Sequence, residues 1–471
     1  MRGMSPSGSC GPQVSAVRLP APMPEVLPFR GIRYAASRAA TMSRFISPPY
    51  DVISPAYREE LAARSPHNIV RVLLPGDQPG DRAADDKYLR AAGTFGSWFE
   101  DGALRQDAVA SLYPVEQAFT GPDGRPLVRR AFIAACRLHA YEEGIILPHE
   151  KTLAGARADR LELVKRVQAN LSPVFGLYDD ACGEGHGALE NAIGRAGKPV
   201  AEAHSDDGTR HRLWRVDDPD VVGPLLRVLA SKNIIIGDGH HRYEAALLYR
   251  DLIDREQPGL SSRAGHRFMM MALCSTSHPL LVIYPTHRLI LGLRELVLGR
   301  FLGELEKYFS VETLAEDLRR PAGLAWAVSK LAEHLGKSTA FLMVSAEDRK
   351  GRILTLRDEA DLSGVPLPVN VTLRDLDVTV LDSVIFQHLL GLSPRSQELG
   401  ENVRFELDAG EVVSRALAGE CQLGFLVNPT PMWQVQAVAE SGETMPQKST
   451  FFYPKFVTGL VMRWVREELG G

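Results

Sequence analysis

The chain has 471 residues, 45% of them hydrophobic, a net charge of −4 and a pI near 6.4. That length and apolar content predict two to four domains with packed cores and remove any general attraction to nucleic acid or to an anionic membrane. Cys10, Cys136, Cys182, Cys274 and Cys421 are scattered with no CxxC spacing, which argues against a zinc knuckle or disulfide framework, and no apolar run reaches the roughly 18 to 20 residues of a membrane span. A soluble, cytoplasmic α/β (mixed α+β) protein is expected.

Residues 1–26, rich in Ser, Gly and Pro and without periodicity, read as a disordered extension. A first α/β region, 27–140, follows. Pro48 and Pro49 stiffen the loop that carries Tyr50 and Asp51, Ser54 caps a helix with Pro55 at its first position, and Ile69 to Leu74 reads as a strand. A helix over Asp81 to Glu100 precedes strands at Ser111 to Phe119 and Leu127 to His139, joined by Gly121-Pro122-Asp123-Gly124.

The second region, 141–290, carries Pro148-His149-Glu150-Lys151-Thr152, a helix from about Asp159, and Asn170-Leu171-Ser172-Pro173-Val174-Phe175. A polar stretch, 181–220, reads as an insertion with one strand at Leu213 to Val216 and a tight turn at Asp206-Asp207-Gly208. The organising element comes next. Ile234-Ile235-Ile236 predicts a strand buried on both faces, running through Asp238-Gly239-His240-His241-Arg242 into a helix whose stripe is Ala245, Leu248, Tyr249 and Leu252.

Free amides and the positive dipole end of a helix make such a turn an anion site, and Arg242 adds a forked cation. The plain alternative is a capped turn with two exposed histidines. Strands at Arg267 to Cys274 and Leu280 to Tyr284 follow, the second leading into His287 and Arg288. The last region, 291–471, alternates helices with strands at Thr339 to Val344, Arg352 to Leu356 and Gln422 to Val427. Its loop 445–455 is dense in donors and aromatics and precedes an expected final helix.

PPYDVIS (48–54), PHEKT (148–152), DRLELV (159–164), NLSPVF (170–175), DGHHRYEAA (238–246), PTHRL (285–289), NPTP (428–431) and MPQKSTFFYPK (445–455) together resemble the domain of unknown function 1015 family. More distantly, PHExT, a helix, a Pro-containing strand entry and a strand ending in DGHHR are similar to the ParB/sulfiredoxin superfamily, most closely to its free serine kinases. That resemblance implies a ParB/sulfiredoxin-like core over 141–290 inside a larger multi-lobed, mixed-sheet protein. It makes Gly239, His240, His241 and Arg242 the phosphate turn and Glu150 the base that takes the serine hydroxyl proton.

On this reading Glu150, beside His149, takes the hydroxyl proton, Asp238 holds a magnesium ion or orients His241, and a nucleotide triphosphate or diphosphate with Mg²⁺ is the cofactor. Lys448, Ser449 and Thr450 add phosphate donors, or else form a surface loop before a helix. Tyr50, Asp51, Thr152, His287 and Arg288 are candidate contacts for a free hydroxy amino acid, against plain readings as a Pro-Pro turn, a core histidine or an ion pair. Two other functions stay open: a CTP- or ATP-gated clamp of ParB type, which the acidic balance disfavours, and a metal-dependent hydrolase using His149, Glu150, His240 and His241, which lacks an HxH or HExxH pair.

Overall fold

The structure, a computed structural model, describes residues 23–152, 154–277 and 281–470. The expected N-terminal extension lies outside the described residues as far as position 22, and Val26–Leu27 already forms a strand. The architecture is mixed α+β, built on two large sheets.

The first sheet runs in the order Ile146–Leu147, Ile234–Asp238, Val174–Tyr178, Phe268–Ser275, Pro126–Arg137, Tyr113–Thr120, Arg210–Leu213, Ala201–His204, with Val26–Leu27 beside Pro126–Arg137. Regions 27–140 and 141–290 thus share one sheet. Ile234–Asp238 lies second from one edge, parallel to the edge strand Ile146–Leu147 and antiparallel to Val174–Tyr178 on the other side. Ile235 packs into the core on one face of the sheet and Ile234 and Ile236 into the core on the other, so the isoleucine run is buried on both faces.

The second sheet is antiparallel throughout, in the order Phe309–Thr313, Gly351–Leu356, Ala340–Ser345, Leu423–Val427, His287–Ile290, Val403–Glu406. Val282–Tyr284 joins neither large sheet and pairs instead with Phe451–Tyr453. The stretch 181–220 holds the helix Glu184–Ala196 and two strands rather than one. They form a hairpin, turning at Asp206-Asp207-Gly208, that extends the first sheet past Tyr113–Thr120.

Three local expectations are corrected. Ile69 to Leu74 is not a strand: Val70–Leu73 is a helical turn, started by the Asn68 side chain accepting from the Val70 amide at 2.9 Å. Its β-branched residues are buried all round, so packing overrides their strand preference. In His240–Glu256 the stripe is rotated; Leu248 is 43% exposed, while Tyr243, Ala245, Ala246 and Tyr249 are buried. Tyr243 sets that rotation, because its hydroxyl donates to His139 O and accepts from His139 N–H, both at 2.9 Å.

The third correction is the expected final helix. Residues 456–470 form no helix but thread back through the first core, where Arg463–Trp464 pairs with Ala169–Asn170 and Met462 bridges Ile32. Phe456, Val457, Leu460, Val461, Met462 and Trp464 are buried there. An apolar run covered on all sides needs no helical period, which is why its pattern misleads. Arg463, fully buried, donates to Asn170 Oδ1 and to the carbonyls of Gly265 and Phe268, satisfying backbone groups that the irregular tail leaves open.

Candidate active site

Where the strand Ile234–Asp238 ends, Gly239 takes φ +95°, and a Cβ there would meet the Arg242 guanidinium at 2.8 Å. Only glycine suits both constraints. The helix His240–Glu256 starts immediately after it with no side chain capping its first amides. These open donors and the helix dipole face a cleft of about 170 Å³, lined by the strand end, by Tyr50 and Asp51, by Glu150, and by Lys448, Thr450 and Lys455.

The two walls of the cleft are stitched together by backbone. Met445 N–H donates to His149 O at 2.9 Å, Lys151 N–H donates to Met445 O at 3.3 Å, and Lys448 N–H donates to Glu150 Oε1 at 3.0 Å. The PHEK segment and the 445–455 loop, almost 300 residues apart, therefore act as one unit. Lys448 holds φ +56°, a left-handed conformation that costs a non-glycine residue about 1 kcal/mol. Its amide contact to Glu150 and the Arg288 Nη2 bond to its carbonyl at 3.2 Å keep it there.

His149 is fully buried beneath this seam. Its Nδ1–H donates to Ile236 O at 2.6 Å, so Nε2 is the acceptor for the Thr450 hydroxyl at 2.8 Å. Burial pushes its pKa down to about 4. With both nitrogens engaged and no charge at neutral pH, His149 positions Glu150 and Thr450 rather than moving protons. His240 is buried beside it, its Nε2 accepting from His149 N–H at 3.4 Å, and desolvation holds it well below the usual histidine range. Burial also lowers His241, which lines the cleft.

The carboxylates divide. Burial alone would raise Asp238, but Lys455 and Arg242 override it and hold it well below the usual carboxylate range. One oxygen accepts from Lys455 Nζ and the other from Arg242 Nη2, at 2.8 Å for the latter. Each Asp238 oxygen thus already accepts from a cation; among the described residues no group of three His, Cys, Asp or Glu side chains is placed to hold a metal ion. Glu150 goes the other way: desolvation raises its pKa against the pull of Lys448. A half-buried carboxylate with raised basicity is suited to accept a proton.

Arg242 departs from the expected phosphate fork. Its Nη1 donates to Ser172 Oγ at 2.9 Å and to Pro173 O at 2.6 Å, and Nη2 to Asp238, so it braces the turn from below. Arg242→Ala is expected to leave Asp238 with one cation and to destabilise the fold by about 3 kcal/mol, visible as an earlier midpoint in urea unfolding. An unchanged midpoint would return Arg242 to a ligand-facing role.

Ser449 is buried and its hydroxyl donates to Pro446 O at 2.6 Å, fixing the loop and facing no ligand. Thr152 donates to Glu244 at 2.7 Å outside the cleft lining. His287 accepts from Val427 N–H inside the second sheet, and Arg288, buried against Phe405, lines a different cavity on the far side of the 446–448 loop. Neither enters the cleft. Tyr50 does; its ring lies 4.3 Å from the Arg160 guanidinium, and burial, then Asp51, pushes its hydroxyl up to about 12.

The residue that sequence reasoning passed over is Lys455, the closing lysine of MPQKSTFFYPK. Its ammonium joins Asp238 and lies 4.2 Å from the Phe451 ring centroid. Buried Arg129 fixes its backbone, sandwiched at 4.8 Å by Phe175 and Phe456 and donating to the carbonyls of Tyr453 and Pro454, while Gln117 donates to Lys455 O at 2.9 Å. A lysine directly after an aromatic-Pro run was the available signal.

Fold and cleft together describe a mixed α+β protein with an uncapped helix entry opposed across one cleft by a carboxylate of raised pKa. The chain belongs to the family described as protein of unknown function (DUF1015), whose model matches residues 26–379. No curated protein matches it. Solved structures of similar outline include a conserved hypothetical protein from Pyrococcus furiosus (11% identity, 69% of this chain and 93% of that one, TM-score 0.32). A free serine kinase in complex with AMP (10%, 68% and 86%, 0.33) and C-terminally truncated SbnI from Staphylococcus aureus (10%, 70% and 81%, 0.31) are others. Among the described residues no helix is long and apolar enough to cross a membrane.

Proposed function

We propose that the protein is a phosphotransferase that moves the terminal phosphoryl group of ATP or ADP to the hydroxyl of a free amino acid, L-serine, giving O-phosphoserine. The observation that carries this reading is the opposition of Glu150 to the uncapped helix entry at Gly239-His240 across one cleft. Amides of the helix entry and the Lys448 ammonium hold the phosphates, and the Asp238–Lys455 pair borders them.

In the reaction the acceptor hydroxyl gives its proton to Glu150 as its oxygen bonds to the terminal phosphorus. The bond from that phosphorus to the bridging oxygen breaks, and the shortened nucleotide leaves with the electron pair. A magnesium ion at Asp238 would compete with the Lys455 and Arg242 cations already held there. The same reading makes 141–290 the ParB/sulfiredoxin-like core and the 445–455 loop its second wall.

Phosphorus NMR on the purified protein, with ATP or ADP in separate tubes and L-serine among a pool of hydroxy metabolites, tests it. A new phosphomonoester signal that requires serine is the expected result. Nucleotide loss with no phosphorylated acceptor would replace transfer by hydrolysis, and no turnover in any tube would leave a nucleotide-binding regulator.

A further inference from the structure

Beside the cleft lies a larger cavity of about 630 Å³, within the range of small-molecule pockets, and Phe451 and Lys455 line both. Its walls come from distant parts of the chain: Pro48 and Pro49, the hairpin turn at 205–207, the paired strands Val282–Tyr284 and Phe451–Tyr453, and residues 407–409 beyond the second sheet. Tyr284 and Tyr453 stand there with ring centroids 4.9 Å apart, inclined at 45°.

Of the three lining aspartates, Asp206 is engaged by Arg64 at 2.6 Å. Asp207 uses Oδ1 to accept from Ser205 Oγ at 2.6 Å and Thr209 N–H at 3.0 Å, and Asp408 uses Oδ1 for Glu411 N–H at 3.0 Å. Among the described residues neither forms an ion pair. His211, next to Asp207, supplies no charge at neutral pH because burial pushes it down to about 4. The Lys455 ammonium is taken by Asp238. The cavity is therefore aromatic, with two exposed rim carboxylates that have hydrogen bonds but no ion-pair partner among the described residues, and burial followed by the charge of Asp207 holds the Tyr284 hydroxyl above its ordinary value.

We propose that this cavity binds an organic amine with an apolar body, its ammonium toward the Asp207 and Asp408 carboxylates and the Tyr284 and Tyr453 rings, its body against Pro48, Pro49 and Phe451. Aromatic faces attract a desolvated cation, and carboxylates add charge-assisted bonds. Two unpaired carboxylates repel an anion, and a neutral ligand leaves them unused. The site does not depend on the phosphotransferase reading, since binding is readable without nucleotide.

Isothermal titration of the full chain with 2-phenylethylamine, 2-phenylethanol and phenylacetate decides it. Saturable binding of the amine is expected, with the alcohol at least about tenfold weaker and phenylacetate silent. Asp207→Asn keeps the turn's Oδ1 acceptor while removing the charge, and should weaken the amine about tenfold; Tyr284→Ala, checked for folding by circular dichroism, should weaken it similarly. Equal binding of alcohol and amine, amine affinity untouched by both substitutions, or no binding of the amine to folded protein would each overturn the proposal.

Discussion

Glu150→Gln is expected to lower the rate of phosphoryl transfer by about 10²- to 10⁴-fold, the usual contribution of a positioned general base, while nucleotide affinity stays unchanged. The substitution is informative because of what it preserves. Glu150 Oε1 accepts from the Lys448 amide, and a glutamine oxygen can accept the same bond, so the 445–450 loop keeps its place. The phosphate donors assigned by the proposed function are amides and ammonium groups elsewhere on the cleft wall. Since desolvation raises the Glu150 pKa, the wild-type rate should fall as pH drops through that raised value, and the glutamine variant should lose this acid limb. Rates and nucleotide titrations on both proteins check it, and a fully active Glu150→Gln would remove Glu150 from the chemistry.

Acid should destabilise the fold well above the range where carboxylates titrate. His149, His211 and His287 are 0%, 1% and 5% exposed, and burial pushes each from 6.5 down to about 4. His240 is shifted the same way. Below pH 6.5 the unfolded chain takes up these protons and the folded chain does not, so stability rises with pH across the window from about 4 to 6.5. Asp377, pushed up to about 6 by burial, and Glu150 work in the opposite sense, because their folded forms bind a proton the unfolded chain releases.

The three histidines shifted to about 4, set against the one proton of Asp377, leave about two protons, a slope of roughly 3 kcal/mol per pH unit within that window. Above 6.5 the histidine contribution is fully present. Melting temperatures measured from about pH 7.5 to about pH 5 should fall steeply in the second half of the range. A flat profile would mean that these rings charge in place.

The parts of the site that were legible in the sequence are those set by neighbours along the chain. An isoleucine run, two glycines and a polar cluster specify the strand, the turn and the helix start at His240, because each is a local backbone requirement. The hairpin at Asp206-Asp207-Gly208 was readable for the same reason. What stayed hidden depends on partners far away. Arg242 looks like a free fork until Ser172 and Pro173 are seen to take its donors, and Asp238 looks like a metal ligand until Lys455 arrives from 217 positions downstream. The Ile69 to Leu74 run and the tail after Lys455 fail together: burial on every side erases the periodicity that distinguishes strand from helix.

That tail also sets a condition on biogenesis. The segment 445–464, which closes the first hydrophobic core and brings Lys448 and Lys455 to the cleft, is synthesised after the entire second sheet. Until then the groove around Ala169–Asn170 stands open, with Asp238 facing Arg242 alone. Contacts of such long sequence separation form slowly and at a high loop-closure cost. A growing chain therefore carries an unfinished first core and cleft until residues 445–464 have been made and docked.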